Sequence, residues 1–107
     1  MKYIKKFETI DYYDIDEGDY VLIKTESSLS NVREFINNNI GRVAYMNYNY
    51  NVITVGYNDV PKNVEGFFSK IYPEYPYTRQ FQFNRVKEFG KTIEELELKM
   101  QANKYNL

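Results

Sequence analysis

Cysteine, histidine and tryptophan are all absent from this 107-residue chain. Without cysteine there is no disulfide, no thiol nucleophile and no zinc–thiolate site. Without histidine there is no imidazole ligand and no imidazole general base, so Ser-His-Asp and Cys-His catalysis are excluded within the chain. No apolar run approaches the ~20 residues that a membrane-spanning helix needs. The lysine-bearing start, Met1 to Glu8, is followed by no apolar stretch of signal-peptide length. These absences point to a small soluble protein of the cytoplasm with no membrane partner.

Positive charge is also in short supply. Lys and Arg number 14 against 15 for Asp and Glu, a net charge of −1, which argues against a dedicated duplex-DNA binder. Ala, Arg, Gly and Pro together make 14 residues, whereas Asn, Tyr, Lys, Ile and Phe make 50. The scarce group has G/C-rich codons and the abundant group A/T-rich ones, which points to an AT-rich genome such as that of a low-GC bacterium or one of its phages. The same bias raises Tyr and Asn without any functional demand, so the 18% aromatic content is not in itself a binding surface.

The length suits one domain, residues 1–107, able to bury roughly 65% of its unfolded surface. Residues 1–15 read as an edge strand or a loosely ordered arm. Six acids and no base lie between Glu8 and Asp19. Asp16-Glu17-Gly18-Asp19 then turns the chain into the strand Tyr20 to Lys24. Val32, Phe35 and Ile36 share one face of a short helix over about 31–37, with Ser30 or Asn31 as its cap. Gly41–Met46 and Val52–Tyr57 form a hairpin whose asparagine-rich connection suits a tight turn. Tyr72-Pro73-Glu74-Tyr75-Pro76-Tyr77 is an extended loop, because its prolines forbid a central strand. Thr78 to Phe83 and Arg85 to Phe89 read as short strands. Thr92 and Glu95 then open a C-terminal helix over about 92–103 in capping-box register. Alternation on the strands predicts a core of Val21, Ile23, Val43, Ile53, Val55, Phe81, Phe83 and Val86.

About five short strands with a turn every 8–12 residues indicate a mainly β domain, a small closed or half-closed barrel of antiparallel strands carrying the two helices. Glu17-Gly18-Asp19-Tyr20-Val21-Leu22-Ile23-Lys24, with Ile40-Gly41-Arg42-Val43 and Ile53-Thr54-Val55-Gly56-Tyr57 as second and third strands, resembles SH3-like small barrels. The ending, with Phe83, Val86, Gly90 and Glu94-Glu95-Leu96-Glu97 running to Lys104-Tyr105-Asn106-Leu107, is similar to small proteins of phages that infect AT-rich bacteria. The resemblance implies a binding or assembly module and carries over no active-site residue.

Several residue groups are candidate sites. The acidic segment fails as an EF-hand loop: counted from Asp14, Gly18 falls at position 5, Asp19 at position 6 and Thr25 at position 12, where ligand, glycine and glutamate belong. It reads as a solvated turn, and no metal or cofactor is expected. No pair of carboxylates stands out for acid–base work, so the chain is expected not to be an enzyme. The stiffened loop with Tyr72, Tyr75 and Tyr77 offers large contact area at low ordering cost, which suits protein binding. A second apolar strip on the C-terminal helix, Leu98, Ala102 and Tyr105, suits a partner or a second copy, while Ile93, Leu96 and Met100 face the barrel. The alternative is single-stranded nucleic acid, with Tyr48 and Tyr50 as stacking surfaces and Arg42, Arg79 and Arg85 as phosphate partners. The expected function is a non-catalytic module that binds a protein, either a phage virion or assembly component or an inhibitor of a host defence enzyme.

Overall fold

The computed structural model describes residues 10–105, with side chains described to residue 102. It contains five strands and two helices: β1 (Tyr20–Ile23), α1 (Ser30–Asn37), β2 (Gly41–Asn47), β3 (Val52–Tyr57), β4 (Tyr77–Gln82), β5 (Val86–Gly90) and α2 (Ile93–Tyr105). Single turns of 3-10 helix lie at Tyr12–Asp14, Glu65–Phe67 and Phe83–Arg85. All strands pair antiparallel in the order β4-β3-β2-β1-β5, so the last strand returns to lie beside the first. The fold is therefore a small, mainly β, barrel-like domain.

The β2–β3 hairpin turns through Asn47 to Asn51. The Asn47 side chain accepts from the Asn49 and Tyr50 amides, and Asn51 takes the positive φ of 55° that asparagine tolerates. All eight residues predicted for the core are buried, and Val32 and Ile36 of α1 join them. Ile15 and Val64 are just as deeply buried, although each stands in a polar segment with no alternation to announce it, and Leu96 is buried as its helical spacing predicts.

Three expectations need correction. Residues 10–15 form no strand; Tyr12–Asp14 is a 3-10 turn capped by Asp11, whose carboxylate accepts from the Tyr13 amide at 3.0 Å. The rest of the proposed arm, residues 1–9, lies outside the described residues. Helix α1 starts one residue earlier than its polar residues suggested. Leu29 is its N-cap with no side-chain hydrogen bond, and Ser27 acts upstream, accepting from the Leu29 amide through its hydroxyl and from the Arg33 guanidinium through its carbonyl. Phe83 and Arg85 are not strand residues: the chain turns through Phe83–Arg85 between β4 and β5.

Helix α2 begins where the capping residues place it. The Thr92 hydroxyl accepts from the Glu95 amide at 3.0 Å, and the Glu95 carboxylate accepts from the Lys91 amide at 2.7 Å. Glu95 and Lys99 form the expected i,i+4 ion pair at 3.5 Å. Leu96 packs into the domain, but Ile93 is 41% exposed, so the inward face is narrower than its spacing suggested.

Candidate functional site

The β2–β3 turn, the Tyr12–Asp14 turn and the Phe83–Arg85 turn converge at one end of the sheet. Asp11 capping sets the first, asparagine the second, and the end of β4 the third. Together they gather five aromatic rings. Tyr13 and Tyr48 stack with centroids 5.0 Å apart and planes within 7°. Phe83 meets Tyr48 at 5.6 Å in an edge-on arrangement and lies 5.0 Å from Tyr12. Tyr50 lines an open cavity of about 440 Å³ together with Tyr12, Asn51, Gln82, Phe83 and Asn84. Tyr13 and Tyr50 are each 77% exposed. Aromatic groups held in place by neighbours and left open to water are the material of binding hot spots.

The electrostatic setting of these rings is acidic. Asp11 and Asp14 flank the Tyr12–Tyr13 pair, and Asp16 and Glu17 follow on the same segment. Partial burial of the Tyr48 hydroxyl, and then the nearby charges of Asp16, Asp11 and Glu17, push its pKa above the ordinary tyrosine value. Lys91 satisfies part of this charge: its ammonium donates to Asp19 at 2.8 Å, to Asp16 at 2.9 Å and to the Asp14 carbonyl at 3.1 Å. Asp11, Asp14 and Glu17 form no ion pair with a described residue. The acidic segment is thus a clamped structural turn as well as a solvated one, and no group of three or more carboxylates among the described residues is arranged to hold a metal.

A second cavity, about 270 Å³, lies over the outer face of β3 and β4 beneath the long connection between them. Phe67, Ile71 and Tyr72 wall it on the loop side, and Thr54, Thr78 and Gln80 on the sheet side. Thr54 is 2% exposed and its hydroxyl has no hydrogen-bond partner.

The residues expected to form sites are dispersed. Tyr48 and Tyr50 meet at the hairpin end, and Tyr72 and Arg79 line the second cavity. Tyr75 packs against Gly56: a Cβ there would lie 2.4 Å from the Cγ and Cδ1 of Tyr75, which explains why β3 carries glycine at this position. Tyr77 joins a packed aromatic group with Phe68, Tyr57 and Phe35, and its hydroxyl approaches Glu65 at 3.5 Å. Leu98, 67% exposed, and Ala102 lie on the open side of α2. The side chain of Tyr105 lies outside the described residues.

The arginines proposed as phosphate partners are engaged elsewhere. Arg42 donates twice to the Gly18 carbonyl and lies 4.7 Å over the Tyr20 ring. Arg79 donates to the Phe67 carbonyl at 2.7 Å, and Arg85 faces Glu26 at 3.7 Å. Sequence reasoning missed Tyr12, Tyr13 and Phe83 as surface partners of the hairpin. The adjacent pair Tyr12-Tyr13 inside an acidic segment was the available signal; Phe83 was assigned to the core, and it serves both.

No family model, curated protein or solved structure matches this chain.

Proposed function

We propose that the protein is a non-catalytic binding module that docks a protein partner on the aromatic surface of Tyr12, Tyr13, Tyr48, Tyr50 and Phe83. The observation that carries this reading is the exposed Tyr13–Tyr48 stack set among carboxylates. Stacked rings in an acidic field favour partner side chains that are apolar or cationic. The same field repels phosphates, Arg42 and Arg79 are held by backbone carbonyls, and Arg85 faces the Glu26 carboxylate. Protein is therefore favoured over single-stranded nucleic acid. The resemblance to SH3-like modules and to small phage proteins supports the same class. Within it, a virion or assembly component and an inhibitor that occludes a host defence enzyme are the two roles in view, both exercised in the host cytoplasm or the virion.

Tyr13 and Tyr50 are exposed enough to be replaced without disturbing the core. The variant Tyr13→Ser with Tyr50→Ser is expected to keep the wild-type circular dichroism spectrum and to lose its partner in pull-downs from host lysate, followed by mass determination of the complex. Unchanged capture by the double variant would remove this surface from the function. Binding of short single-stranded DNA or RNA at low salt, abolished by the same variant, would transfer the surface to nucleic acid.

A further inference from the structure

The aromatic surface at the hairpin end has two parts of different chemistry, and their spacing limits what can cover both. The first part is the Tyr13 ring. Tyr48 stacks on one of its faces at 5.0 Å and the residue is still 77% exposed, so the other face is open to water. The second part is the cavity of about 440 Å³, where Tyr12, Tyr50 and the nearly buried Phe83 meet Asn51, Gln82 and Asn84. None of these lining residues is charged.

The ring, by contrast, stands among charges of one sign. Glu8 to Ile23 contains acids but no lysine or arginine. Two described cations reach this stretch, and both are committed. Lys91 holds Asp16 and Asp19, and Arg42 donates to the Gly18 carbonyl and lies over Tyr20. Asp11, Asp14 and Glu17 are exposed and form no ion pair with a described residue. Partial burial, and then the charges of Asp16, Asp11 and Glu17, raise the Tyr48 pKa, which places these carboxylates within electrostatic reach of the stack. A guanidinium suits such a place. It lies flat on an aromatic face, and the donors at its edge serve surrounding carboxylates. An anion is repelled there, and an apolar side chain leaves the carboxylates unmatched. The uncharged cavity takes the opposite chemistry, an apolar side chain.

We propose that the partner docks through a short extended segment carrying an arginine and, within three residues of it, an apolar side chain. The guanidinium stacks on the open face of Tyr13, and the apolar group enters the cavity between Tyr12 and Tyr50. This rests on the partner-docking reading and specifies its occupant. The spacing follows from the rings. Tyr13 to Tyr48 is 5.0 Å and Tyr48 to Phe83 is 5.6 Å, so Phe83, at the cavity, lies no farther from Tyr13 than these steps end to end, about 11 Å. Extended chain advances about 3.3 Å per residue, and the long arginine side chain covers the extra stacking distance.

The test uses a capped peptide with one arginine and one leucine three positions apart in a glycine–serine frame. It is titrated into the protein while the Tyr13 and Phe83 ring resonances are followed by NMR. Both rings are expected to shift with one dissociation constant. Citrulline in place of arginine keeps the shape without the charge and is expected to weaken binding about fivefold. Glycine in place of leucine is expected to weaken it about tenfold. Tyr13→Ser should bring the arginine peptide down to the citrulline level. Asp14→Asn with Glu17→Gln spares the Asp11 cap and the Lys91 tie. This variant should weaken the arginine peptide about threefold and leave the citrulline peptide unchanged. The circular dichroism of all variants should match wild type. No saturable shift at millimolar peptide overturns the proposal, as does equal binding of the arginine and citrulline peptides or full-strength binding to Tyr13→Ser. Tighter peptide binding after Lys2→Gln, Lys5→Gln and Lys6→Gln, positions outside the described residues, would assign the cation site to the chain's own start and equally overturn it. The docking reading is judged separately. Lysate capture lost in Tyr13→Ser with Tyr50→Ser, beside equal binding of the two peptides, keeps the docking surface and removes the arginine; unchanged capture removes both.

Discussion

Tyr57 is buried to 3% exposure with its ring locked between Phe35 and Phe68, and its hydroxyl has no hydrogen-bond partner. A hydroxyl desolvated without a partner costs about 1–3 kcal/mol. Tyr57→Phe keeps the ring contacts and removes that cost, so it is expected to raise the melting temperature, measured by calorimetry; a clear fall would mean that an ordered water satisfies the group. The opposite sign is expected at Ile53, fully buried at the centre of the sheet, where truncation to Ala should cost about 2–4 kcal/mol in urea unfolding. These two positions also mark what single residues disclose in sequence. Ile53 stands in a β-branched alternating run, and its burial was legible. The isolation of the Tyr57 hydroxyl depends on Phe35 and Phe68, brought from two other segments, and no local pattern encodes that.

The elements were legible to the degree that their ends carry chemistry. The Thr92–Glu95 box placed the start of α2, and the asparagines placed the β2–β3 turn. α1 was misplaced by one residue because its start is set by Leu29 and by Ser27 from outside the helix. The candidate site was less legible, since it is built from three turns distant in sequence, two of them 3-10 turns whose residues read as strand or loop. α2 also depends on a contact that sequence does not reveal. A Cβ on Gly90 would lie 2.8 Å from the Leu96 amide nitrogen and 3.1 Å from its Cα, so the helix rests directly on the end of β5. Gly90→Ala must push backbone against backbone, and by overpacking precedent it should cost about 1–3 kcal/mol. The expected signature is a lower urea midpoint, with the largest chemical-shift changes along α2. Leu98→Glu, on the open side of the same helix, should leave the midpoint within about 0.5 kcal/mol of wild type. Loss of partner capture in that variant alone would add the outer strip of α2 to the binding surface.

At the scale of the whole molecule, Lys91 ties the chain's beginning to its end. It stands between β5 and α2 and reaches the turn before β1, where Asp19 is nearly buried and also accepts from the Asp16 amide at 2.8 Å. This tie makes stability sensitive to alkali rather than to metal. Hydrogen bonds to Asp16 and then Asp19 raise the Lys91 pKa above its ordinary 10.5, and burial raises that of Tyr57 above its ordinary 10.0. Both folded values exceed the unfolded ones. Between the two, the native chain holds protons that the unfolded chain has released, so stability falls as pH rises. Below pH about 10 both contributions are complete and constant. Urea titrations at a series of pH values should therefore show the decline beginning near that point. Tyr57→Phe is expected to lift the plateau and make the decline shallower, because one of the two protons is gone. Lys91→Met is expected to lower the plateau, since Asp19 loses its counter-charge, and to make the decline shallower as well. The double variant should have the flattest alkaline limb, and EDTA should shift none of these curves. An alkaline slope unchanged by Tyr57→Phe would mean that the phenol reaches water in the native state, while one unchanged by Lys91→Met would mean that the ammonium does not hold the acidic turn in solution.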